Sequence, residues 1–188
     1  MLIERLFSSG IMKMGPSRVD PERQVGVFNP AVVAGLPAVR AAEMEKFRWI
    51  EGEWAYENAV PATRVSPAYG DIGSTRFSFN QKTNWICMVA PDGTETPEIN
   101  FDPFSRQWIF LLMTGSYGVL RSAAGWNGDK IEFTGLMTMI GIDCEWRMSW
   151  TREGADAFSF VNEERNDAGA WDYIDEWRFK RKPDGLLN

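Results

Sequence analysis

Asp175 stands between Tyr173 and Trp177 at a spacing of two residues. On a β-strand that spacing puts all three side chains on one face. A carboxylate on an aromatic face needs a partner, because a buried unpaired charge costs several kcal/mol or shifts its pKa. Two chemistries fit. Asp175 can anchor the polar head of a small molecule, or Asp175 and Tyr173 can act as weak catalytic candidates for general acid–base work. A structural ion pair or a position at a strand rim is the plainer alternative. Arg121 is the candidate partner; Arg147 and Arg178 become candidates if the alternation slips by one. Glu98 poses the same question in the run 95–101.

The rest of the chemical inventory is narrow. The chain has no histidine. That excludes Ser-His-Asp and Cys-His nucleophile systems and histidine-ligated metal or haem. The two cysteines, Cys87 and Cys144, sit in apolar runs and read as buried free thiols. Two scattered cysteines do not make a structural zinc site. Ser116 lies between Gly115 and Gly118, without a strand-turn-helix context or a histidine partner. There is no glycine-rich nucleotide loop. No cofactor and no metal are therefore expected.

With 188 residues, 44% of them hydrophobic and 24% charged, the chain suits one globular domain. A net charge of −6 repels phosphate backbones, so nucleic acid is not an expected partner. No run approaches 18 apolar residues, so no membrane span is expected. The first residues lack the apolar core of a secretion signal, which makes a cytoplasmic location the default expectation.

These side chains must be positioned by strands. Period-two patterning marks ten runs: 53–58, 73–80, 83–90, 95–101, 107–113, 117–125, 130–139, 142–151, 157–164 and 171–180. Short Gly-, Asn- and Asp-rich links separate them, as hairpins require. The one long link, 59–72, is a candidate lid or rim loop. Parallel crossovers need about a dozen residues, and the links are too short for them. The expected fold is all-β: a single up-and-down antiparallel β-barrel of about ten strands, closed to remove its edges.

Before the strands, Ala41, Met44, Phe47 and Ile50 recur at spacing three. They predict a helix over 37–51 that starts at Pro37 and is capped by Gly52, packed over one barrel opening. Residues 1–40, broken by Pro16, Pro21, Pro30 and Pro37, read as an arm that wraps the barrel, as a contact that builds a homodimer, or as a partly flexible tail. Val25, Val27 and Phe28 suit a short strand. The expected divisions are 1–40, a barrel over 41–182 and a tail over 183–188.

A barrel of this size holds either packed side chains or one small ligand. Alternation predicts the interior face. In 142–151, Cys144, Trp146, Met148 and Trp150 point in. In 130–139, Ile131, Phe133, Met137 and Met139 do. In 83–90, Trp85, Cys87 and Val89 align. In 171–180, Trp171, Tyr173, Asp175, Trp177 and Phe179 align. The expected binding wall is Phe77, Trp85, Met137, Met139, Trp146, Met148, Trp150, Phe158, Tyr173 and Trp177, with Arg121 and Asp175 as polar anchors.

Gly52-Glu53-Trp54 after a helix resembles the Gly-x-Trp opening of calycins, the superfamily of lipocalins and fatty-acid-binding proteins. The resemblance implies that Trp54 closes one barrel end and that an arginine near the last strand packs across it. Arg178 is the first match and Arg181 the second. A closer likeness is to bacterial calycin-like proteins grouped as domain of unknown function 1579. It is carried by Phe47-Arg48-Trp49-Ile50-Glu51-Gly52-Glu53-Trp54, by Phe101-Asp102-Pro103 and by Gly125-Trp126-Asn127-Gly128. It covers about residues 41–182. That family has no established activity, so the likeness implies the fold more than the function. It is the apolar barrel interior that makes a container for a small hydrophobic or amphipathic molecule, rather than an enzyme, the leading expectation. An isomerase or cyclase using a cavity carboxylate, and a filled barrel with a structural role, are the alternatives.

Overall fold

The structure, a computed structural model, describes residues 2–15, 25–63, 67–113 and 116–183. Ten antiparallel strands close into one barrel, each paired with the next in chain order and the last with the first. They are β3 (Gly52–Val60), β4 (Tyr69–Asn80), β5 (Trp85–Val89), β6 (Glu95–Asp102) and β7 (Gln107–Met113). Then follow β8 (Tyr117–Ser122), β9 (Lys130–Met139), β10 (Ile142–Arg152), β11 (Ala157–Arg165) and β12 (Trp171–Arg181). The expected meander is present, and all ten anticipated runs are strands. The link before β4 is shorter than expected because β3 and β4 pair along their whole length, from Gly52↔Phe77 to Val60↔Tyr69.

Before the barrel come α1 (Leu2–Ser8) and a hairpin of β1 (Met12–Gly15) and β2 (Val25–Phe28). They are followed by α2 (Pro30–Glu45) and a single 3-10 turn at Arg48–Ile50. The helix therefore starts seven residues earlier than its apolar spacing suggested. Pro30 holds the first-turn position that proline suits, and Pro37 lies inside the helix. Gly52 caps no helix; it opens β3 with φ +119, a conformation that favours glycine. A Cβ there would meet Arg181 Nη1 at 2.8 Å. Among the described residues, no helix is long and apolar enough to cross a membrane.

The 3-10 turn plugs one end of the barrel. Its last carbonyls have no partner within so short an element. Trp54 Nε1 donates to Ile50 O at 2.7 Å. Arg181 donates from Nη2 to Trp49 O at 2.6 Å and from Nη1 to Glu51 O at 2.8 Å. The Arg181 guanidinium also lies 4.2 Å above the Trp54 ring. Arg178 does none of this. It points outward from β12 and pairs with Glu176. The closing arginine is therefore Arg181, the second match, because Arg181 pairs with inward-facing Trp54 while Arg178 pairs with outward-facing Glu57.

Above the plug the interior is aromatic. Phe158 stacks on Phe179 with centroids 4.3 Å apart and on Trp150 at 5.3 Å, and Trp54 meets Phe158 edge-on at 4.8 Å. Phe47 fits against Trp108 and Trp126. Trp54, Phe47, Ile50, Phe133 and Leu120 are wholly buried. Such contacts hold the plug by area and by ring geometry.

Removing Arg181 should leave three carbonyl bonds short of two donors. We expect Arg181→Met to lower unfolding free energy by about 3–6 kcal/mol, since it removes two hydrogen bonds from a charged group, worth roughly 1.5–3 kcal/mol each. Arg178→Met should stay within about 0.5 kcal/mol of the parent. Urea unfolding followed by tryptophan emission distinguishes them. Equal losses would contradict this assignment.

Candidate functional site

The two ends of the barrel differ. At the plugged end, inward side chains are sealed. At the other end, inward side chains are reached by solvent: Tyr56, Leu112, Met139, Cys144, Asp175 and Trp177 are half-buried although they face the axis. Ile142, also inward by register with Met139, is 70% exposed. The interior therefore opens at the end formed by the turns after β3, β5, β7, β9 and β11. The wall is also short on one side. β4 pairs with β5 only from Arg76 to Asn80, and β6 pairs with β7 only from Ile99 to Asp102. Among the described residues no strand pairs with the other edge of β4 over 69–75.

A polar cluster spans β3, β10, β11 and β12 between these ends. Asn162 Nδ2 donates to Asp175 Oδ1 at 2.7 Å, and Trp177 Nε1 donates to Asp175 Oδ2 at 3.1 Å. Asn58 Nδ2 reaches Asp175 Oδ2 and Glu176 O, each at 3.3 Å. Trp146 Nε1 donates to Asn162 Oδ1 at 3.0 Å. Neutral N–H donors thus hold the Asp175 carboxylate, and no ion pair to it occurs among the described residues. Beside the cluster, the Tyr56 ring lies 5.2 Å from Trp177, and its hydroxyl donates to Asp71 Oδ2 at 3.2 Å. Burial first, then the Asp71 carboxylate, raises the Tyr56 phenol pKa. Gly73 makes room for that ring: a Cβ there would come within 2.6 Å of it.

The expected site residues fall into three groups. Asp175, Trp177, Trp146, Met148, Met137 and Met139 face the interior, around or near the cluster. Phe77, Trp150 and Phe158 also face in but belong to the sealed aromatic end. Trp85, Arg121 and Tyr173 face outward, which corrects three expectations. Ile86, not Trp85, pairs with inward Ile99, so the face of β5 is the opposite of the one read from its aromatic. Arg121 pairs with outward Thr134 and is exposed. In β12 the register shifts between Asn162 and Glu163, so that Asp175 faces Asn162 while Tyr173 faces Glu163. The extra residue, Ile174, turns Trp171 and Tyr173 outward. Tyr173 is 48% exposed, so it does not share a site with Asp175. Arg147 also lies outside, bonded to Glu163 and stacked over Trp171.

Asn58, Asn162, Tyr56 and Asp71 complete the site and were not singled out from sequence. Tyr56 and Asn58 follow Trp54 at period two, and Asn162 follows Phe158 and Phe160 at the same period. That period places them inward, but a polar side chain alone does not mark an inward face.

The thiols are quiet. Cys87 is buried and its pKa is raised to about 11, by burial first and then by Glu95 and Glu98. Cys144 is half-buried rather than buried; burial, Glu164 and Asp143 raise its pKa. Both are free. Glu98 is the extra residue at the register shift between β5 and β6, and it is buried with no hydrogen-bond or ion-pair partner among the described residues. Burial pushes its carboxyl up to about 8. A separate groove of about 420 Å³ lies at the closed end, between Val39 and Glu43 of α2, Lys46 just after it, and Trp108 and Trp126.

No protein-family model matches this sequence, and a search of curated proteins finds no match. Among solved structures, the chain resembles the crystal structure of Rv2717c from M. tuberculosis, with a TM-score of 0.54 and 13% identity. The match covers 75% of this chain and 98% of that one. It supports the barrel fold alone. A protein of unknown function from the DUF3598 family of Nostoc punctiforme PCC 73102 aligns at a TM-score of 0.38 and 12% identity, over 72% of this chain and 48% of that one.

Glu98 makes stability depend on pH. Its folded-state pKa lies above the ordinary value of 4.5, so the folded chain favours the protonated form. Its contribution is full below about pH 4.5 and is lost as pH rises toward 8. At about 1.36 kcal/mol per pKa unit the loss is on the order of 5 kcal/mol. Glu98→Gln should flatten the fall in unfolding free energy between pH 5 and 8, measured by urea titration at each pH. An unchanged slope would remove Glu98 from this role.

Proposed function

We propose that this chain is a calycin-like container for a small apolar or amphipathic molecule, bound in the open half of the barrel. The observation that carries the reading is the hydrogen-bonded cluster around Asp175, set in an aromatic and methionine wall at the level where the interior becomes accessible. A site that fixes a ligand this way combines apolar area with a few placed polar groups. Trp146, Met148, Met137, Met139, Tyr56 and Trp177 supply the area; Asp175, Asn162 and Asn58 supply the polar points. Apolar burial at roughly 25 cal/mol per Å² supplies the drive. The Gly52-Glu53-Trp54 opening and the Arg181 clasp over Trp54 support the calycin reading. The likeness to domain of unknown function 1579 rests on the three short motifs around them.

The acid–base alternative loses its assembled pair, because Tyr173 lies outside. Neutral donors fix the Asp175 carboxylate but bring no acid–base partner to it, which suits anchoring better than proton transfer.

A neutral fluorescent probe such as N-phenyl-1-naphthylamine should bind saturably near 1:1. Trp177→Ala and Trp146→Phe should weaken it several-fold, and Trp85→Ala, on the outer face, should leave it unchanged. Circular dichroism of each variant separates lost binding from lost folding. Absence of saturable enhancement with the folded parent protein would sink the container reading.

A further inference from the structure

Charge is sorted along the barrel axis. Among the described residues, the inward-facing cations are Arg152 and Arg181, and both sit at the plug: Arg152 over the Trp49 ring at 5.1 Å, Arg181 over Trp54. Toward the open end every inward-facing charge is a carboxylate. Asp175 lies in the cluster. Asp71 lies inward beside Tyr56. Glu164 pairs in register with inward Trp146 on one side and with Asp172 on the other. The Cys144 thiol, which also faces the axis, feels the Glu164 charge. The described parts of the open-end turns contain no lysine or arginine, and two of them add Asp92 and Asp167. Arg64 lies outside the described residues.

Aromatic faces accompany these carboxylates. Tyr56 and Trp177 lie side by side, Phe160 stacks on Trp177 at 5.8 Å, and Trp146 leads into the same space. Aromatic faces attract cations, most of all in partly desolvated sites. A concave site lined by charge of one sign concentrates the opposite sign within it. An anionic ligand would meet Asp175, Asp71 and Glu164, with no inward cation among the described residues at this end to offset them.

We propose that the ligand is an organic cation: an apolar or aromatic body with an amine or quaternary ammonium head, the head lodged between Asp175, Tyr56 and Trp177. This rests on the container reading and assigns its ligand class. The arrangement also accounts for Asp175 having only neutral donors. Asn58, Asn162 and Trp177 fix the carboxylate without cancelling its charge, which stays available to a cationic head.

The test uses three dodecyl compounds below their micelle concentrations, with trimethylammonium, hydroxyl or sulfate heads, each displacing N-phenyl-1-naphthylamine from the full chain. The trimethylammonium compound should bind about tenfold or more tighter than the alcohol, and the sulfate weakest. Asp175→Asn should reduce the ammonium-to-alcohol ratio about tenfold. Asp71→Asn, at the exposed rim, should reduce it a few-fold and keeps the test valid if the first variant unfolds. If the alcohol binds but the sulfate equals or exceeds the ammonium, or if neither folded variant changes the ratio, the cation assignment is overturned and the container stands. If none of the three displaces the probe, the cation assignment falls; the container reading falls only if the probe itself does not bind saturably.

Discussion

Three backbone carbonyls, at residues 49, 50 and 51, hold this molecule together. They end a 3-10 turn too short to satisfy them, and they lie against the base of the barrel. Trp54 from the first barrel strand and Arg181 from the last donate to all three. β3 and β12 are neighbours, paired from Ala59↔Glu176 to Trp54↔Arg181. One guanidinium thus ties the plug to the seam where the chain's first and last barrel strands meet. Buried carbonyls without donors would each cost about 1–3 kcal/mol, so plug and closure stand or fall together.

That clasp also explains the asymmetry of the interior. It uses the inward-facing arginine of β12 at one end, and Arg152 does the same over Trp49. Aromatic rings then fill the space above, from Phe47 to the stack of Phe179, Phe158 and Trp150. Sealing one end leaves the other for a guest. There the pairing of β4 with β5 and of β6 with β7 stops short, and polar groups enter the wall. The stabilising contacts gather at the closed end, and the proposed binding site lies at the other.

Strand number, meander order and plug were legible because period two and turn residues are local signals. Face assignment was legible wherever strands run without interruption: β9 and β10 point as their alternation says. It failed for Arg121 in β8, which pairs with outward Thr134, and in two further strands for two distinct reasons. In β12 one extra residue, Ile174, reverses the face of everything before it, and no local signal marks a bulge formed against a partner strand. In β5, five residues long, Trp85 outweighed Ile86 and Met88 because a large aromatic looks like core, yet it caps the outer side. Arg178 and Arg181 differ by three positions, hence by parity, and only the register with Trp54 chooses between them. The polar members of the site, Asn58 and Asn162, were the hardest to see. An asparagine at an inward position becomes meaningful only when Asp175 is found opposite it.

The central claim is that the barrel is sealed at the Trp54 end and receives a guest at the Asp175 end. Methyl NMR of the methionines tests it directly, with each resonance assigned by substitution and N-phenyl-1-naphthylamine titrated in. The account predicts saturable shifts at Met139, Met137 and Met148, which face the interior, with Met44 in the plug and Met113 on the outer surface unmoved. Shifts confined to Met44 or Met113, or no saturable shift at any inward methionine, would contradict it.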